Sequence, residues 1–499
     1  MHKSTFSAGH VVMVDIEGTT LDSDTAHFLR THQVRGVCLF RKNLVDADQL
    51  RKLTSDLRDV IGHYALIGID QEGGAVARIT FLPQAPSAMA LGAIGDDNVA
   101  EEVGAAVSRG LRSMGINWNF APVIDVNNNP ANPVIAERSF GADPDHVARM
   151  AGAWMRGALR EGVACCVKHF PGHGDTHTDS HHALPSVEKT LAELEALELR
   201  PFRALADQAP AMMTAHIVYP QIDPDEPATL SVKLVEGLLR SSIGYRGVVI
   251  TDALMMKAVY DRYGHAKASV MALKAGVDMV LAQGPRQEQL AALNAIAQAQ
   301  RDGSLSQARL DEARTRLENL AHEFPSAVKA YPPRQQSADE HLMRGAWLRG
   351  LCTLGSVNVP KQDEPVRVLT QESVVSDGVS EAGVSSADVR SLFDGFSDVE
   401  FVTVPNLLTA TPADLPRDGR FNVLVSCHRK RYDECTRAMS PDLHLVLWNP
   451  FLALDTDAPT LISWGYANGA LAAVHEWLQG TITAAAVSPV PLSHQVAHP

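Results

Sequence analysis

Three features that define other classes of protein are scarce in this sequence: long apolar runs, paired cysteines and an excess of basic residues. No apolar stretch approaches the roughly 20 residues that a membrane-spanning helix needs. The 6 cysteines among 499 residues are too few for a disulfide scaffold, and no Cys-x-x-Cys pair occurs. The net charge of −14 argues against a binder of nucleic acid or anionic membranes, since both need clustered lysine and arginine. We therefore expect neither kind of partner.

The amino terminus also lacks a recognisable secretion signal. The start, Met1-His2-Lys3-Ser4-Thr5, has no charged segment followed by an apolar core, so a cytoplasmic location is the expectation. Hydrophobic residues make up 45% of the chain and charged residues 20%, as in an ordinary globular protein with a large buried core. A chain of 499 residues is long enough for more than one domain.

Short apolar, β-branched runs recur through the first 285 residues, and segments with helical periodicity separate most of them. Eight such runs predict a (β/α)₈ TIM-type barrel, a parallel sheet covered on its outer face. A doubly wound open sheet is the alternative, but Asp15-Ile16-Glu17-Gly18-Thr19-Thr20 lacks the glycine spacing of a dinucleotide-binding fingerprint. The predicted strands are residues 11–16, 34–40, 65–70, 116–126, 163–169, 211–218, 247–252 and 277–282.

A second, smaller αβ domain is predicted to follow the barrel. We assign residues 1–325 to the barrel domain, residues 326–342 to a polar, proline-bearing linker, and residues 343–499 to a sandwich-like αβ domain. Its predicted strands are residues 366–370, 399–404, 422–426 and 443–448, and its last helix is predicted at residues 467–478. The purpose of this domain cannot be read from its residues.

Residues 168–182 are the densest group of reactive side chains, with five histidines, two aspartates and a lysine directly after an apolar run. Within them, Asp179 and His181 are separated by one residue, and positions i and i+2 of an extended segment point to the same side. Asp179 can accept a hydrogen bond from one imidazole nitrogen of His181 and favour the charged ring. This spacing predicts a general acid/base pair, and a solvated histidine-rich loop is the alternative.

Polar residues also stand at or near the carboxyl ends of several predicted strands. In a closed barrel these ends converge on one face, so residues far apart in sequence can line one pocket. Burying so many polar groups without a ligand or partners would be unfavourable, which favours a functional site. The residues are Asp70, Asp125, Lys168, His169, His216 and Asp252.

The same histidines also permit a zinc interpretation. His173, His177 and His181 are spaced by four residues, which would place them on one face of a helix. Pro171, Gly172 and Gly174 disfavour a helix there, and we therefore expect no metal and no other cofactor.

Several segments resemble glycoside hydrolase family 3, specifically its β-N-acetylglucosaminidase branch. The similarity runs in the same order over roughly residues 10–320, and the long motif ending in Asp179-Ser180-His181 is its most specific part. The matching segments are Gly68-Ile69-Asp70-Gln71-Glu72-Gly73-Gly74 with Arg78, Asn119-Phe120-Ala121-Pro122-Val123-Ile124-Asp125-Val126, Glu137-Arg138-Ser139-Phe140-Gly141, residues 168–181 and Gly247-Val248-Val249-Ile250-Thr251-Asp252-Ala253-Leu254-Met255-Met256.

The resemblance implies a retaining double displacement on a terminal sugar. Asp252 would be the nucleophile, and His181 would be the acid/base, oriented and charged by Asp179. The implied substrates are small glycosides with terminal β-linked GlcNAc, such as the GlcNAc–anhydromuramyl peptides of cell-wall recycling. The implied sugar-binding residues are Asp70, Arg78, Arg138, Lys168 and His169, to which we add His216 from its strand position alone.

Other functions remain open at this point. Within the family they are a β-glucosidase or β-xylosidase and a GlcNAc phosphorylase. Outside it they are a barrel metallohydrolase and a non-catalytic sugar-binding protein. If Asp179 and His181 had no part in catalysis, a second-domain carboxylate such as Glu400 or Glu434 would be the alternative acid/base. The segment after Arg78 looks shorter than is usual in the family, and the oligomeric state cannot be predicted.

Overall fold

The computed structural model describes residues 6–181 and 184–492. The prediction for Met1-His2-Lys3-Ser4-Thr5 and the last histidine of the 168–182 motif, His182, lie outside the described residues.

Eight parallel strands close into a barrel in the order β1-β2-β3-β6-β7-β8-β9-β10, with β10 returning to β1, so the predicted TIM-type barrel is confirmed. Strands β4 and β5 form a separate antiparallel pair just after β3. The first ten strands are β1 (Val12–Asp15), β2 (Gly36–Leu39), β3 (Leu66–Ile69), β4 (Gln71–Gly73), β5 (Val76–Ala77), β6 (Trp118–Asn119), β7 (Ala164–Phe170), β8 (Ala211–Thr214), β9 (Val248–Ala253) and β10 (Met279–Leu281).

Helices surround this barrel, and their capping residues explain where several begin. Asp46 accepts a hydrogen bond from the backbone of Gln49 at the start of α2, and Asp143 does the same for α5, whose first residue is Pro144. A π-helical segment, Lys233–Ser242, precedes β9. The helices are α1 (Ser23–His32), α2 (Ala47–Ile61), α3 (Ala88–Ile94), α4 (Asp97–Ser113), α5 (Pro144–Arg160), α6 (Leu191–Ala196), α7 (Leu199–Leu205), α8 (Lys257–Ala275), α9 (Arg286–Arg301) and α10 (Gln307–Glu323).

The barrel strands are short apolar runs because both of their faces are covered. Every residue of β7 is buried, including the charged residue Lys168 at its carboxyl end. The fourth barrel strand is only Trp118–Asn119, far shorter than the predicted residues 116–126. Residues 120–126 do not continue the regular strand after β6. Asp125 instead contacts the backbone of His169, in β7, and of His173, in the loop that follows β7.

The second part of the chain is built on a six-stranded sheet in the order β11-β16-β15-β14-β12-β13, with only the β11 pairing antiparallel. The short strands β11 and β16 were not predicted. The strands are β11 (Cys352–Leu354), β12 (Val366–Gln371), β13 (Val399–Val404), β14 (Phe421–Ser426), β15 (Leu443–Val446) and β16 (Thr460–Ile462), and the helices are α11 (Pro333–Gly350), α12 (Ser386–Ser391), α13 (Glu434–Arg437) and α14 (Asn468–Leu478).

Helix α11 occupies part of the segment for which a linker is predicted, so the exact domain boundaries stay a prediction. Its Trp347 is buried between the two parts of the chain and donates a hydrogen bond from its indole nitrogen to the carbonyl of Gln84 in the barrel. Ala75 of the barrel belongs to the same apolar core as Trp347 and the second sheet. The two parts are therefore packed together beside the β4–β5 pair. Within the described ranges, no helix combines the length and apolarity needed to cross a membrane.

Candidate active site

A cleft of about 990 Å³ opens at the carboxyl ends of the barrel strands. Most of the residues predicted for the site line this cleft, and Asp125, Asp179 and His216 are not among its lining residues. The predicted residues that line it are Asp70, Arg78, Arg138, Lys168, His169, His181 and Asp252.

One end of the cleft carries a network that we call the charged cluster: Asp70, Glu72, Arg138 and Lys168. The Nζ of Lys168 lies 2.7 Å from both Asp70 Oδ1 and Glu72 Oε1. Arg138 donates two hydrogen bonds to Glu72, at 2.9 and 2.8 Å. Burial alone would raise the pKa of Glu72, but Arg138 and Lys168 hold it far below its ordinary value. Glu72 is thus fixed as an ion, as are Arg138 and Lys168, whose pKa values the neighbouring carboxylates raise.

Asp70 is the member of the charged cluster that remains accessible, with 19% of its side chain exposed against 6% for Glu72. Arg78, which follows the β4–β5 pair, brings its NH2 to 3.9 Å from Asp70 Oδ2. A carboxylate held between two cations can accept paired hydroxyl groups while losing none of its charge, which is the chemistry that a polyhydroxylated ligand requires.

A second buried carboxylate, Asp125, organises the strand end next to the cluster. Its Oδ2 accepts a hydrogen bond from Nδ1 of His169 at 2.7 Å, and its Oδ1 accepts the backbone N–H groups of His169 and His173. Burial opposes the charge of Asp125, but the His169 ring lowers its pKa on balance. The pairing fixes the His169 ring in one orientation, with Nε2 outside the pair.

Asp252 ends β9 and faces the same cleft. Its Oδ1 accepts a hydrogen bond from the backbone N–H of Ala253 at 2.8 Å. Burial would raise the pKa of Asp252, but the charges of His169, His216 and His181 lower it to about 2. Asp252 is therefore an ionised carboxylate at any ordinary pH, as a nucleophile must be.

The segment after β7, residues 171–181, is the histidine loop. At its end, His181 Nδ1 lies 2.8 Å from Asp179 Oδ1, and the backbone N–H of His181 donates to the same oxygen at 2.9 Å. The side chain of His181 is 31% exposed. The predicted pairing of Asp179 with His181 is therefore present in the structure, and it leaves the imidazole at the cleft surface.

Buried contacts hold the start of the histidine loop. The ring nitrogens of His173 lie 2.8 Å from Thr176 Oγ1 and 3.1 Å from Ser180 Oγ. Burial lowers the pKa of His173 to about 4, so its ring is neutral at pH 7. At Gly172, with a φ of 135°, a Cβ atom would lie 2.7 Å from Cβ of Glu198, which leaves no room for a side chain.

His216 stands just after β8, as its strand position suggested, but its ring does not line the cleft. It is fully buried, with Nδ1 2.8 Å from Thr229 Oγ1 and Nε2 3.0 Å from the carbonyl of Ala253. Both ring nitrogens are thus engaged by the protein behind Asp252. We therefore do not retain His216 as a sugar ligand and regard it as support for the end of β9.

The zinc interpretation loses its geometric basis, because the histidine loop is not helical. Each of the three histidines has different polar neighbours. His173 contacts Thr176 and Ser180, His177 contacts Asn129, and His181 contacts Asp179. Across residues 6–181 and 184–492, no three histidine, cysteine or acidic side chains converge in a way that could hold a metal ion.

Sequence reasoning missed two carboxylates of the site. Glu72 stands inside the quoted Gly68–Gly74 motif, so its position two residues after Asp70 was an available signal. Glu381, from the second part of the chain, lines the cleft and pairs with Arg78 at 2.7 Å. It lies in an irregular segment that carries no recognisable pattern. The carboxylates suggested for the second domain are elsewhere: Glu400 pairs with Arg367 and Arg420, and Glu434 is exposed on α13.

Comparisons with known proteins identify a family for the barrel. The family model described as the glycosyl hydrolase family 3 N-terminal domain matches residues 8–320. The β-hexosaminidase A of Pseudoalteromonas piscicida is 36% identical over 341 residues, which cover 62% of this chain and 56% of that protein. The chain thus spans little more than half the length of that relative.

Solved structures extend the similarity to the second sheet. A family 3 β-N-acetylglucosaminidase from Paenibacillus sp. FPU-7 is 32% identical, with a TM-score of 0.89 over 99% of this chain and 100% of that one. The NagZ of Neisseria gonorrhoeae, solved in complex with N-trifluoroacetyl-D-glucosamine, is 31% identical with a TM-score of 0.51, over 62% of this chain and 97% of its own.

Proposed function

This chain belongs to glycosyl hydrolase family 3, and we propose that it is a β-N-acetylglucosaminidase. In this proposal it removes terminal, non-reducing β-linked GlcNAc from small glycosides by a retaining double displacement. The observation that carries the proposal is the shared cleft: the ionised Asp252, the His181–Asp179 pair and the charged cluster all meet there.

The first step uses the two ends of the cleft at once. The charged cluster and Arg78 hold the hydroxyl groups of the sugar, which places its anomeric carbon against Asp252. A carboxylate oxygen of Asp252 forms a bond to that carbon as the bond to the leaving oxygen breaks. Protonated His181 donates its proton to the leaving oxygen, so the aglycone departs as a neutral alcohol.

The second step reverses the role of the imidazole. His181, now neutral, accepts a proton from a water molecule as the water oxygen attacks the anomeric carbon. The ester bond to Asp252 breaks, and the carboxylate and the protonated ring are restored. Because the anomeric carbon is inverted twice, the sugar leaves in its original β configuration. Asp179 holds the ring of His181 by its Nδ1 in both steps.

GlcNAc is proposed as the sugar because relatives on this fold are named for it. The Paenibacillus enzyme is a β-N-acetylglucosaminidase, and the Neisseria protein was solved with a GlcNAc analogue. We further propose that the natural substrates are GlcNAc–anhydromuramyl peptides released in peptidoglycan recycling, with the enzyme acting in the cytoplasm.

A substrate comparison tests this function. We expect the wild type to hydrolyse aryl β-GlcNAc faster than aryl β-glucoside and aryl β-xyloside, and NMR should detect β-GlcNAc as the first-formed anomer. Asp252→Ala should lower kcat on the order of 10⁴-fold or more, as deletion of a nucleophile does elsewhere. The exposed Asp261→Asn on α8 is the matched control and should retain wild-type rates.

Three results would contradict the proposal. A preference for aryl β-glucoside would reassign the sugar, and first formation of the α anomer would exclude retention. Release of GlcNAc 1-phosphate in the presence of inorganic phosphate, at a rate exceeding hydrolysis, would make the enzyme a phosphorylase.

A further inference from the structure

The second domain supplies one stretch of the cleft wall, residues 376–381, which we call the clamp segment. Ser376, Gly378, Val379 and Glu381 of this segment line the same cleft as Asp70 and Asp252. No role for these residues follows from the hydrolytic mechanism above, since both of its steps use barrel residues alone.

The clamp segment is anchored to the barrel at its carboxyl end. The backbone N–H of Glu381 donates to the carbonyl of Ala75 at 2.9 Å, directly beside β5. The carbonyl of Glu381 accepts a hydrogen bond from the hydroxyl of Tyr466 at 2.8 Å. Both backbone groups of Glu381 are thus paired, and its side chain stands at a fixed position over the cleft.

Arg429 fastens the other end of the clamp segment. This buried guanidinium bonds Asp377 Oδ2 at 2.8 Å and the barrel carbonyl of Val134 at 2.8 Å. Arg138 of the charged cluster donates to that same carbonyl at 3.2 Å. The clamp segment and the charged cluster therefore share one rigid support.

The side chain of Glu381 connects this wall to the sugar-binding end. Its Oε1 lies 2.7 Å from NH1 of Arg78, whose NH2 faces Asp70. Arg78 is 10% exposed, whereas Glu381 is 25% exposed. In the described part of the chain, only Oε1 of Glu381 accepts a hydrogen bond, so Oε2 is available to a ligand.

An apolar surface lies next to this carboxylate. Val76 and Val134 of the barrel and Val379 of the clamp segment form one buried cluster, and all three also line the cleft. A carboxylate beside an apolar wall matches a pyranose ring, which presents hydroxyl groups at its edge and C–H groups on its faces.

We propose that Glu381 is a specificity-determining residue that the second domain contributes to the sugar site. Its Oε1 holds Arg78 in place against Asp70, and its Oε2 accepts a hydrogen bond from one hydroxyl group of the terminal sugar. This inference rests on the proposed hydrolysis of GlcNAc glycosides. It gives the second domain a direct part in selecting the sugar.

Glu381→Ala, assayed on aryl β-GlcNAc and on its 3-, 4- and 6-deoxy analogues, tests this contact. We expect KM on the parent substrate to rise about 10-fold or more with kcat changed less than about threefold, because the lost contact is made equally in the bound substrate and in the transition state. For one deoxy analogue, Glu381→Ala should lower kcat/KM clearly less than it does on the parent, since the partner hydroxyl is already missing and only the support of Arg78 is lost.

Two further variants keep the test decisive. Glu372→Ala, an exposed glutamate just after β12, should match the wild type on every substrate. Glu381→Gln keeps an acceptor oxygen and should fold even if the alanine variant does not. Its KM on aryl β-GlcNAc should lie between those of the wild type and the alanine variant.

An equal loss on the parent and on all three analogues would overturn the proposal, because Glu381 would then act through Arg78 alone. An unchanged KM in Glu381→Ala would also overturn it. Absence of wild-type activity on aryl β-GlcNAc would instead refute the proposed function, so the two failures are distinguishable.

Discussion

The charged cluster and the histidine loop are neighbours at the mouth of one barrel, yet they are built in opposite ways. In the charged cluster, the ionised groups of Arg138 and Lys168 are buried, and both are paired with the buried carboxylate of Glu72. In the histidine loop, His181 is paired with Asp179 and is about a third exposed on irregular backbone. The difference matches the two tasks that we propose for these regions: fixed binding of a sugar, and proton transfer to a variable leaving group.

Burial makes the charged cluster both precise and fragile. Each ion there has lost its water and depends on its partners, so removal of one carboxylate leaves cations without compensation. The side chains of His181 and Asp179 remain in contact with water, so each contributes less to stability through its partner than a buried ion does. Breaking each region should therefore have different consequences, for stability in the first and for chemistry in the second.

The largest effect on stability is expected from Glu72→Gln. Arg138 would lose the carboxylate that accepts two of its hydrogen bonds, and Lys168 would lose one carboxylate partner, which should destabilise the fold by about 3–5 kcal/mol. Scanning calorimetry should show the thermal midpoint lowered by roughly 3–7 °C.

Glu102→Gln is the control for this comparison. Its partner Arg160 is about half exposed, and loss of that surface pair should change stability by less than about 1 kcal/mol. Equal shifts of the thermal midpoint in the two variants would show that the charged cluster contributes no more to stability than a surface ion pair does.

A smaller effect is expected when acid acts on the histidine loop. The pKa of His173 is about 4 in the folded protein against an ordinary 6.5. As the pH falls, His173 is therefore protonated first in molecules whose histidine loop has opened and exposed the ring to water. The stability that the neutral ring confers is present above pH 6.5 and is lost progressively down to pH 4. Glu72 behaves differently, because its lowered pKa keeps its own carboxylate ionised through this range.

Hydrogen exchange can separate the two responses. Corrected for intrinsic rates, amides of the histidine loop should lose protection on the order of 10²-fold between pH 7 and pH 4, relative to amides of β7. His173→Gln should remove most of this pH dependence. His444→Gln, which removes a buried histidine of the second domain, should leave it intact. Parallel loss of protection in the loop and in β7 would refute local release of the loop.

The barrel could be predicted because each of its strands is a self-contained apolar run. Strands such as β7 and β9 are buried on both faces, and their sequences show this without reference to distant residues. The edge strand β11 and its neighbour β16 could not be predicted. Each has three residues, and their pairing depends on contacts that form only after the sheet is assembled.

The same distinction applies to the site. Asp70, Lys168 and Asp252 stand at strand ends, where barrel topology alone brings them together. His216 also stands near a strand end, but the pattern does not reveal which way a side chain turns after the ladder stops. Glu381 reaches the cleft from another domain, and only tertiary packing shows that it is there.

The central claim is that His181 protonates the leaving oxygen while Asp252 attacks the anomeric carbon. A series of aryl β-GlcNAc substrates with leaving phenols of increasing basicity tests it most directly in wild type and His181→Ala, with exposed His177→Ala as control. The account predicts that His181→Ala loses about 10²–10⁴-fold on the most basic phenol and little on the most acidic one, while His177→Ala follows the wild type. Equal losses of His181→Ala across the whole series would contradict the acid role.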